Sequence, residues 1–291
     1  MAKKKKAEKP KLYHMATLGT LAGYGNKKGE WSVEKKLATY KKAGFDGFVG
    51  RTTMVNGDQV AASGLIFACT TDLGGIPEIK SKLRTIKEAG ARVVNVQMLN
   101  HDTPTKRAVE VARRLMDAAD DMEMDVSVEM HRDTCTETPE KTYALASGYE
   151  QAEKKPLKMT WDFSHPAVIK HLSPPYYDRL VERPDLVQLA NQFHFRPFNG
   201  HHAQIPALNR KGKLTPEFRD WLEFADQVLK LWLQAAPAGR ELFLCPEQIP
   251  PGYFLSVFGD RWKDVKTIRK HVEKAWQKHL RKWERDSEAI A

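Results

Sequence analysis

Short runs of β-branched and aromatic residues alternate along the chain with longer stretches whose apolar positions recur at helical spacing. This is the pattern of a parallel sheet covered by helices. The strand-like runs are Tyr13 to Leu18, Phe45 to Val49, Leu65 to Thr70, Arg92 to Met98, Val126 to Met130, Lys158 to Phe163, Gln192 to Phe195 and Leu242 to Cys245. Eight such runs close a barrel, so the expected fold is α/β, a single (β/α)8 TIM barrel. Helix starts are marked by Thr103-Pro104, Thr138-Pro139 and Thr215-Pro216, where the hydroxyl can cap free N–H groups and proline at the first helical position loses nothing. Ala43-Gly44 and Ala89-Gly90 read as helix ends. The stretch 51–64 leaves room only for a small helix or an irregular loop. The last helix carries Trp262, Val265, Ile268, Val272, Trp276, Leu280 and Trp283 at steps of three and four, with Lys and Arg on the other face, and is expected to pack on the barrel wall.

A length of 291 residues suits one barrel as well as two smaller domains, and the absence of a Pro/Gly/Ser-rich linker favours one. The formal charge of +10 invites a nucleic-acid reading. About half of the excess, however, sits in a lysine-rich start, from Lys3 to Lys11, which reads as a solvated, flexible tail. Residues 1–11 are therefore expected to form a basic disordered tail, and 12–291 the barrel with its long C-terminal helix. No apolar stretch approaches the roughly 20 residues of a membrane span, and no apolar segment follows the first lysines as in a secretory signal. Cys69, Cys135 and Cys245 are scattered and odd in number, as suits reduced thiols. A cytoplasmic protein without membrane or nucleic-acid partners is expected; a homo-oligomer is compatible with the sequence.

In a barrel of this kind, chemistry gathers at the C-terminal ends of the strands. The last four runs each end in a polar residue there: Glu129, Asp162, His194 and Glu247. Singly, each has a structural explanation, as a helix cap or a hydrogen-bonded core group. Together they are harder to dismiss, because converging carboxylates repel and lose solvation unless a divalent cation offsets both costs. Oxygen donors with one imidazole form a fairly hard site, suited to Mn2+ or Mg2+, with Co2+ or Zn2+ possible. A metal chelating a sugar carbonyl and its neighbouring hydroxyl would stabilise the enediolate left when the α-proton is removed. Glu129 and Glu247, from strands five and eight, can then act as base and acid. Return of the proton to the opposite face gives epimerisation, return to the neighbouring carbon gives isomerisation, and loss of a β-hydroxyl gives dehydration.

Glu129, the Asp162-Phe163-Ser164-His165 step, His194 followed by Arg196, and Glu247 resemble the xylose isomerase-like superfamily, most nearly its sugar phosphate isomerase/epimerase branch. The likeness spans about residues 12 to 285. It implies that Glu129, Asp162, His194 and Glu247 bind the metal, that His165 and Arg196 meet substrate oxygens, and that the two glutamates move protons. Arg196 departs from the family pattern by following His194 too closely, which leaves a structural salt bridge as its other reading.

Further substrate contacts are sought around this centre. His131 falls on the same side of its strand as Glu129, Arg132 is expected to face outward, and Asn100 and His101 end strand four. In the loop after strand seven, which carries Asn199, Gln204 and the pair His201 and His202, at most one of the adjacent histidines can reach the centre, and His202 is the candidate taken. His14, Trp31, Trp161 and Tyr253 can offer ring surface to a sugar or can be plain core.

The function expected is a divalent-metal-dependent isomerase or epimerase of a keto-sugar or polyol. A metal-dependent lyase, deglycosidase or dehydratase on an oxidised sugar is the nearest alternative. An abasic-site nuclease resembling endonuclease IV fits less well, because the loop Asn199 to Gln204 lacks that family's Asp-x-His pair. A non-catalytic sugar-binding protein would leave the intact ligand set without use.

Overall fold

The computed structural model describes residues 8–27, 29–250 and 252–290. Its centre is a closed barrel of eight parallel strands. In chain order these are β1 (Lys11–Thr17), β2 (Gly47–Gly50), β3 (Ile66–Leu73), β4 (Val93–Met98), β5 (Asp125–Met130), β6 (Met159–Trp161), β7 (Gln192–His194) and β8 (Glu241–Cys245). Each strand pairs with its sequence neighbours, and β8 closes on β1 with Lys11 opposite Glu241 and His14 opposite Leu244. All eight predicted runs became strands, shifted at their ends by a residue or more. A two-stranded hairpin, Gly25–Asn26 with Gly29–Glu30, adds to the rim after β1 and was not foreseen.

Residues 1–7 of the predicted tail lie outside the described residues. The chain from Glu8 onward is anchored: Gly239 N–H donates to the Glu8 carbonyl at 2.8 Å, and Lys11 N–H to that of Arg240 at 2.8 Å.

The helices lie outside, as the 3.6-residue periodicity requires. They include α1 (Val33–Lys42), α2 (Gly57–Ser63), α3 (Ile79–Glu88), α4 (Thr105–Asp121) and α5 (Pro139–Glu153). After the short α6 (Ser164–Ile169), α7 (Tyr177–Leu180) and α8 (Pro184–Leu189) come α9 (Pro216–Ala235) and α10 (Arg261–Ile290). The stretch 51–64 resolves into a small helix, α2, closed by a reciprocal cap between Asn56 and Gln59. Thr138 and Thr215 cap α5 and α9 through the N–H groups of Lys141 and Phe218. Thr103 does not cap α4: its hydroxyl donates to Asn100 Oδ1 at 2.9 Å inside the preceding turn, and the helix starts two residues later with no side-chain cap. The predicted stripe of α10 is buried at Val265, Ile268, Val272, Trp276 and Leu280, and Trp283 Nε1 donates to the Ala236 carbonyl at 2.8 Å.

Strand alternation divides each strand between the helical layer and the lumen. The lumen itself is divided. Met15, Val49, Ala68, Val93, Phe243 and Cys245 form an apolar cluster of their own. On the β4 to β7 side the lumen is polar: Ser127 and Thr160 hydroxyls meet at 2.6 Å, and Gln192 Nε2 donates to Ser127 Oγ at 2.8 Å. A buried polar layer of this kind is tolerable only because its members satisfy one another, and it forms the floor beneath the site.

The apolar half leaves no slack. A Cβ at Gly47 would lie 2.4 Å from the Ile66 carbonyl oxygen and 2.5 Å from Met15 Cε, and the backbone oxygen cannot move without disturbing the β2–β3 ladder. Gly47→Ala is expected to lower the free energy of unfolding by about 3 kcal/mol in urea denaturation. A variant as stable as the parent would show that β2 can shift in register.

Candidate active site at the barrel mouth

Glu129 is the second-last residue of β5 and His194 the last of β7; Asp162 directly follows β6 and Glu247 lies two residues beyond β8. The four therefore reach the same end of the barrel. Glu129, Asp162 and His194 are fully enclosed, and their ligating atoms lie within 4.8 Å of one another. Glu129 Oε1 is 2.6 Å from His194 Nδ1, while Oε2 accepts from Asn95 Nδ2 at 2.6 Å and Gln97 Nε2 at 2.9 Å. Asp162 Oδ1 accepts from the backbone N–H of Ser164 at 3.0 Å and from its hydroxyl at 2.5 Å. Glu247 stands slightly apart: its Oε2 lies 3.7 Å from His194 Nδ1 and accepts from Arg196 Nη2 at 2.8 Å.

Arg196 also approaches Asp162 Oδ2 through Nε at 3.4 Å, and it is buried. Its position follows from the two-residue period of extended chain, which sends the second residue after His194 to the same side. It thus forms the salt bridges of its alternative reading while lining the mouth.

The electrostatics favour a cation. Burial pushes the Glu129 carboxyl up, but the charge and hydrogen bond of His194 outweigh it and hold it down to about 2. Asp162 is likewise held below the usual range: burial opposes ionisation, and the charges of His165 and Arg196 overcome it. Burial alone would strip the proton from His194, yet the Glu129 and Glu247 carboxylates push its pKa up to about 9. In the metal-free protein, the protonated imidazole of His194 and the guanidinium of Arg196 thus offset most of the charge of three carboxylates. A divalent cation can replace the imidazolium proton at the same place, so the donor set fits a metal.

The cavity above these groups has a volume of about 310 Å³, near the lower bound for small-molecule sites. Its wall includes Arg51, Gln97, His131, Arg132 and Tyr253. Tyr253 is clamped between two guanidiniums: Arg196 lies 4.2 Å and Arg132 5.1 Å from the ring centre, and Arg132 Nε donates to its hydroxyl at 2.7 Å.

Other predicted residues divide. His131 lines the cavity, and its ring packs on that of His165 at 4.3 Å. His165 is buried beside Asp162, with Nε2 3.4 Å from Oδ2, and is not part of the cavity wall. His101 and His202 are not brought to the mouth. His202 is exposed, and its ring and backbone N–H are both tied to Asn199 Oδ1. His101 is exposed near Asp133 and Glu137, where Lys141 already supplies a cation: its Nζ donates to Glu137 Oε1 at 2.7 Å and to the His101 carbonyl at 2.6 Å.

Arg132 is exposed, as expected, yet it also reaches the rim of the cavity. β5 ends at Met130 and the chain turns, with Asp133 at φ 59°, so strand alternation no longer governs where Arg132 points. Among the aromatic candidates Tyr253 alone lines the cavity. Trp161 and His14 are buried, the first stacked on Phe163 and the second bonded to Glu273, and Trp31 packs on Tyr24. Arg51 and Gln97 escaped notice in the sequence, although by the same alternation Gln97 faces the lumen on β4 and Arg51, directly after β2, continues the side of Val49.

No family model matches the chain, and no curated protein matches its sequence. Solved structures do. An L-ribulose 3-epimerase superposes with a TM-score of 0.61 at 12% identity, covering 97% of this chain and 98% of its own. A xylose isomerase-like TIM barrel/4-hydroxyphenylpyruvate dioxygenase fusion protein gives 0.58 at 14%, over 95% of this chain and 44% of the fusion. The fold is that of the xylose isomerase-like barrels. A probable 3-DHS dehydratase from Bacillus anthracis shares it, with a TM-score of 0.58 at 14% identity over 90% of this chain and 98% of that one. Among the described residues no helix is long and apolar enough to cross a membrane.

Proposed function

We propose that the protein is a divalent-metal-dependent isomerase or epimerase of a keto-sugar or polyol, with Glu129 and Glu247 as the groups that move the proton. The observation that carries this reading is their placement. They come from β5 and from beyond β8, on either side of β7, and approach the same His194 nitrogen at 2.6 and 3.7 Å. Two carboxylates flanking one point suit removal of a proton on one face and its return on the other. The likeness to sugar-acting barrels agrees with this class of substrate.

Glu129, Asp162 and His194 would hold the metal, Mn2+ or Mg2+ by donor type, with Glu247 as a further ligand. When bound, the metal supplies Lewis acidity toward the substrate's carbonyl and adjacent hydroxyl. The protein's groups do the rest. Asn95 and Gln97 fix the Glu129 carboxylate through Oε2 and leave Oε1 directed at the centre. Arg196 holds Glu247 and stacks on Tyr253, which with Arg132 forms part of the cavity wall. His131, which burial holds below its usual pKa and therefore neutral, can share hydrogen bonds with substrate hydroxyls, while His165 supports Asp162.

The test is metal analysis of the purified protein followed by a keto-sugar and polyol panel in deuterated water. Solvent deuterium at the carbon beside the carbonyl is expected. A metal-replete protein that exchanges no proton in any of them would sink the reading, and a dehydrated product would move it to the lyase class.

Metal affinity should also depend on pH with a definite sign. His194 must shed a proton that it holds up to about pH 9, so the dissociation constant for Mn2+ should weaken about tenfold for each unit lowered between pH 8 and 6. Calorimetric titration at three pH values measures this; a flat profile would mean that His194 is no ligand.

A further inference from the structure

Beside the mouth lies a second cavity of about 310 Å³, in the angle between the loop after β2, the end of β3 and α3. Arg51 and Thr70 line both cavities, which therefore adjoin at these two residues. Thr70 is only 8% exposed, and its hydroxyl is buried without a hydrogen-bond partner among the described residues. An unmet hydroxyl in that position costs free energy unless something outside the chain meets it.

The direction of the hydrogen bonds in the side lobe decides what fits. Thr71 donates its hydroxyl proton to the Asp72 carbonyl at 3.2 Å, Ser81 to that of Glu78 at 3.0 Å and Thr85 to that of Ser81 at 3.2 Å. These three protons are spent, so their oxygens offer a ligand lone pairs, while the hydroxyls of Thr52 and Thr53, which also line the lobe, can donate or accept. The cations nearby are also spoken for. Arg51 holds the Asp72 carboxylate at 2.5 and 3.1 Å, and Lys82 pairs with Glu78 at 2.6 Å while donating to the Asp72 carbonyl at 2.7 Å. A phosphate or carboxylate requires donors and net positive charge. With both cations already paired and hydroxyls that accept and donate, this lobe suits a neutral molecule rich in hydroxyls.

We propose that the side lobe is a subsite for a second, uncharged, polyhydroxylated unit. The substrate is then a glycosylated keto-sugar, with its reacting unit at Glu129 and Glu247 and its other ring beyond Thr70. The location of the reacting unit rests on the function proposed above; the lobe and its hydrogen-bond polarity do not.

The test compares free ketohexoses with disaccharides that end in a ketose, lactulose and isomaltulose, and with a ketohexose phosphate. Each is assayed for deuterium exchange on the Mg2+-loaded full chain. Two variants fill the lobe from the exposed side of α3, Ser81→Trp and Thr85→Trp, so that a folding defect in one leaves the other. At least one disaccharide should exchange with a kcat/KM tenfold or more above the free ketohexoses. Both tryptophans should remove that advantage and leave the free sugars within about twofold. If free sugars exchange as well as disaccharides and the variants change neither, or if the phosphate is preferred, the subsite is refuted while the proposed reaction stands. If no sugar exchanges, saturation-transfer NMR on the same disaccharides decides. Saturation of the glycosyl-ring protons in the parent and not in the variants keeps the subsite and refutes the reaction; its absence in the parent refutes the subsite.

Discussion

Glu247→Gln is expected to lower solvent exchange by about 10² to 10⁴ and to leave most of the bound metal in place, whereas Glu129→Gln should lose both. The difference follows from how the carboxylates are held. Glu129, Asp162 and His194 form the tight group, with donor atoms within 4.8 Å of one another, while Glu247 lies outside that set in the grip of Arg196. A glutamine at 247 can still accept the Arg196 hydrogen bond through its amide oxygen, so that contact survives and only the proton carrier is lost. A glutamine at 129 can likewise accept from Asn95 and Gln97, but it removes the negative charge that keeps His194 protonated and that would hold a divalent cation. Metal content by atomic emission and deuterium incorporation by mass spectrometry separate the two effects. Exchange within threefold of the parent in Glu247→Gln would remove Glu247 from the chemistry; full metal content in Glu129→Gln would remove Glu129 from the ligands.

The second large effect concerns stability. Asp264, in the first turn of α10, is buried at 2% exposure. Its Oδ1 accepts from Leu208 N–H at 3.0 Å, tying the long loop after β7 to the last helix, while Oδ2 is buried with no partner among the described residues. Burial pushes the carboxyl up to about 7, against the backbone hydrogen bonds of Leu208 and Ala207, which pull it down. In the unfolded chain the group titrates near 3.8. Between these values the folded protein keeps a proton that the unfolded chain has released, so this group makes stability fall as pH rises from about 4 to 7 and then level off. Asp264→Asn removes the titration and keeps an oxygen for the Leu208 N–H. Its stability relative to the parent should therefore rise by about 2 to 3 kcal/mol from pH 5 to pH 8. In thermal denaturation that gap is on the order of 5 °C or more. A gap of equal size at both pH values would show that Asp264 is ionised throughout.

The same residues show what was legible beforehand. The strand runs are local signals: a two-residue alternation of apolar and polar side chains needs no knowledge of the partner strand, and eight of them separated by helical periods leave a closed barrel as the natural packing. The convergence of Glu129, Asp162 and His194 followed from the same logic, because parallel strands present their C-terminal ends at one mouth and alternation selects the side each residue faces.

What lay beyond the strands was not legible. Arg132, although exposed, reached the cavity rim because the chain leaves β5 in a turn, and His202 stayed outside because Asn199 captured it. Thr103 failed as a cap because Asn100 competed for its hydroxyl. Arg51 and Thr70 became a shared wall between two cavities only when β2, β3 and α3 were assembled. Periodicity is written in neighbours along the chain, so the barrel and the residues that point into it can be read from the amino-acid order alone. Loop paths, the separation of Glu247 from Glu129, Asp162 and His194, and the side lobe depend on distances between segments far apart in sequence, which no local pattern encodes.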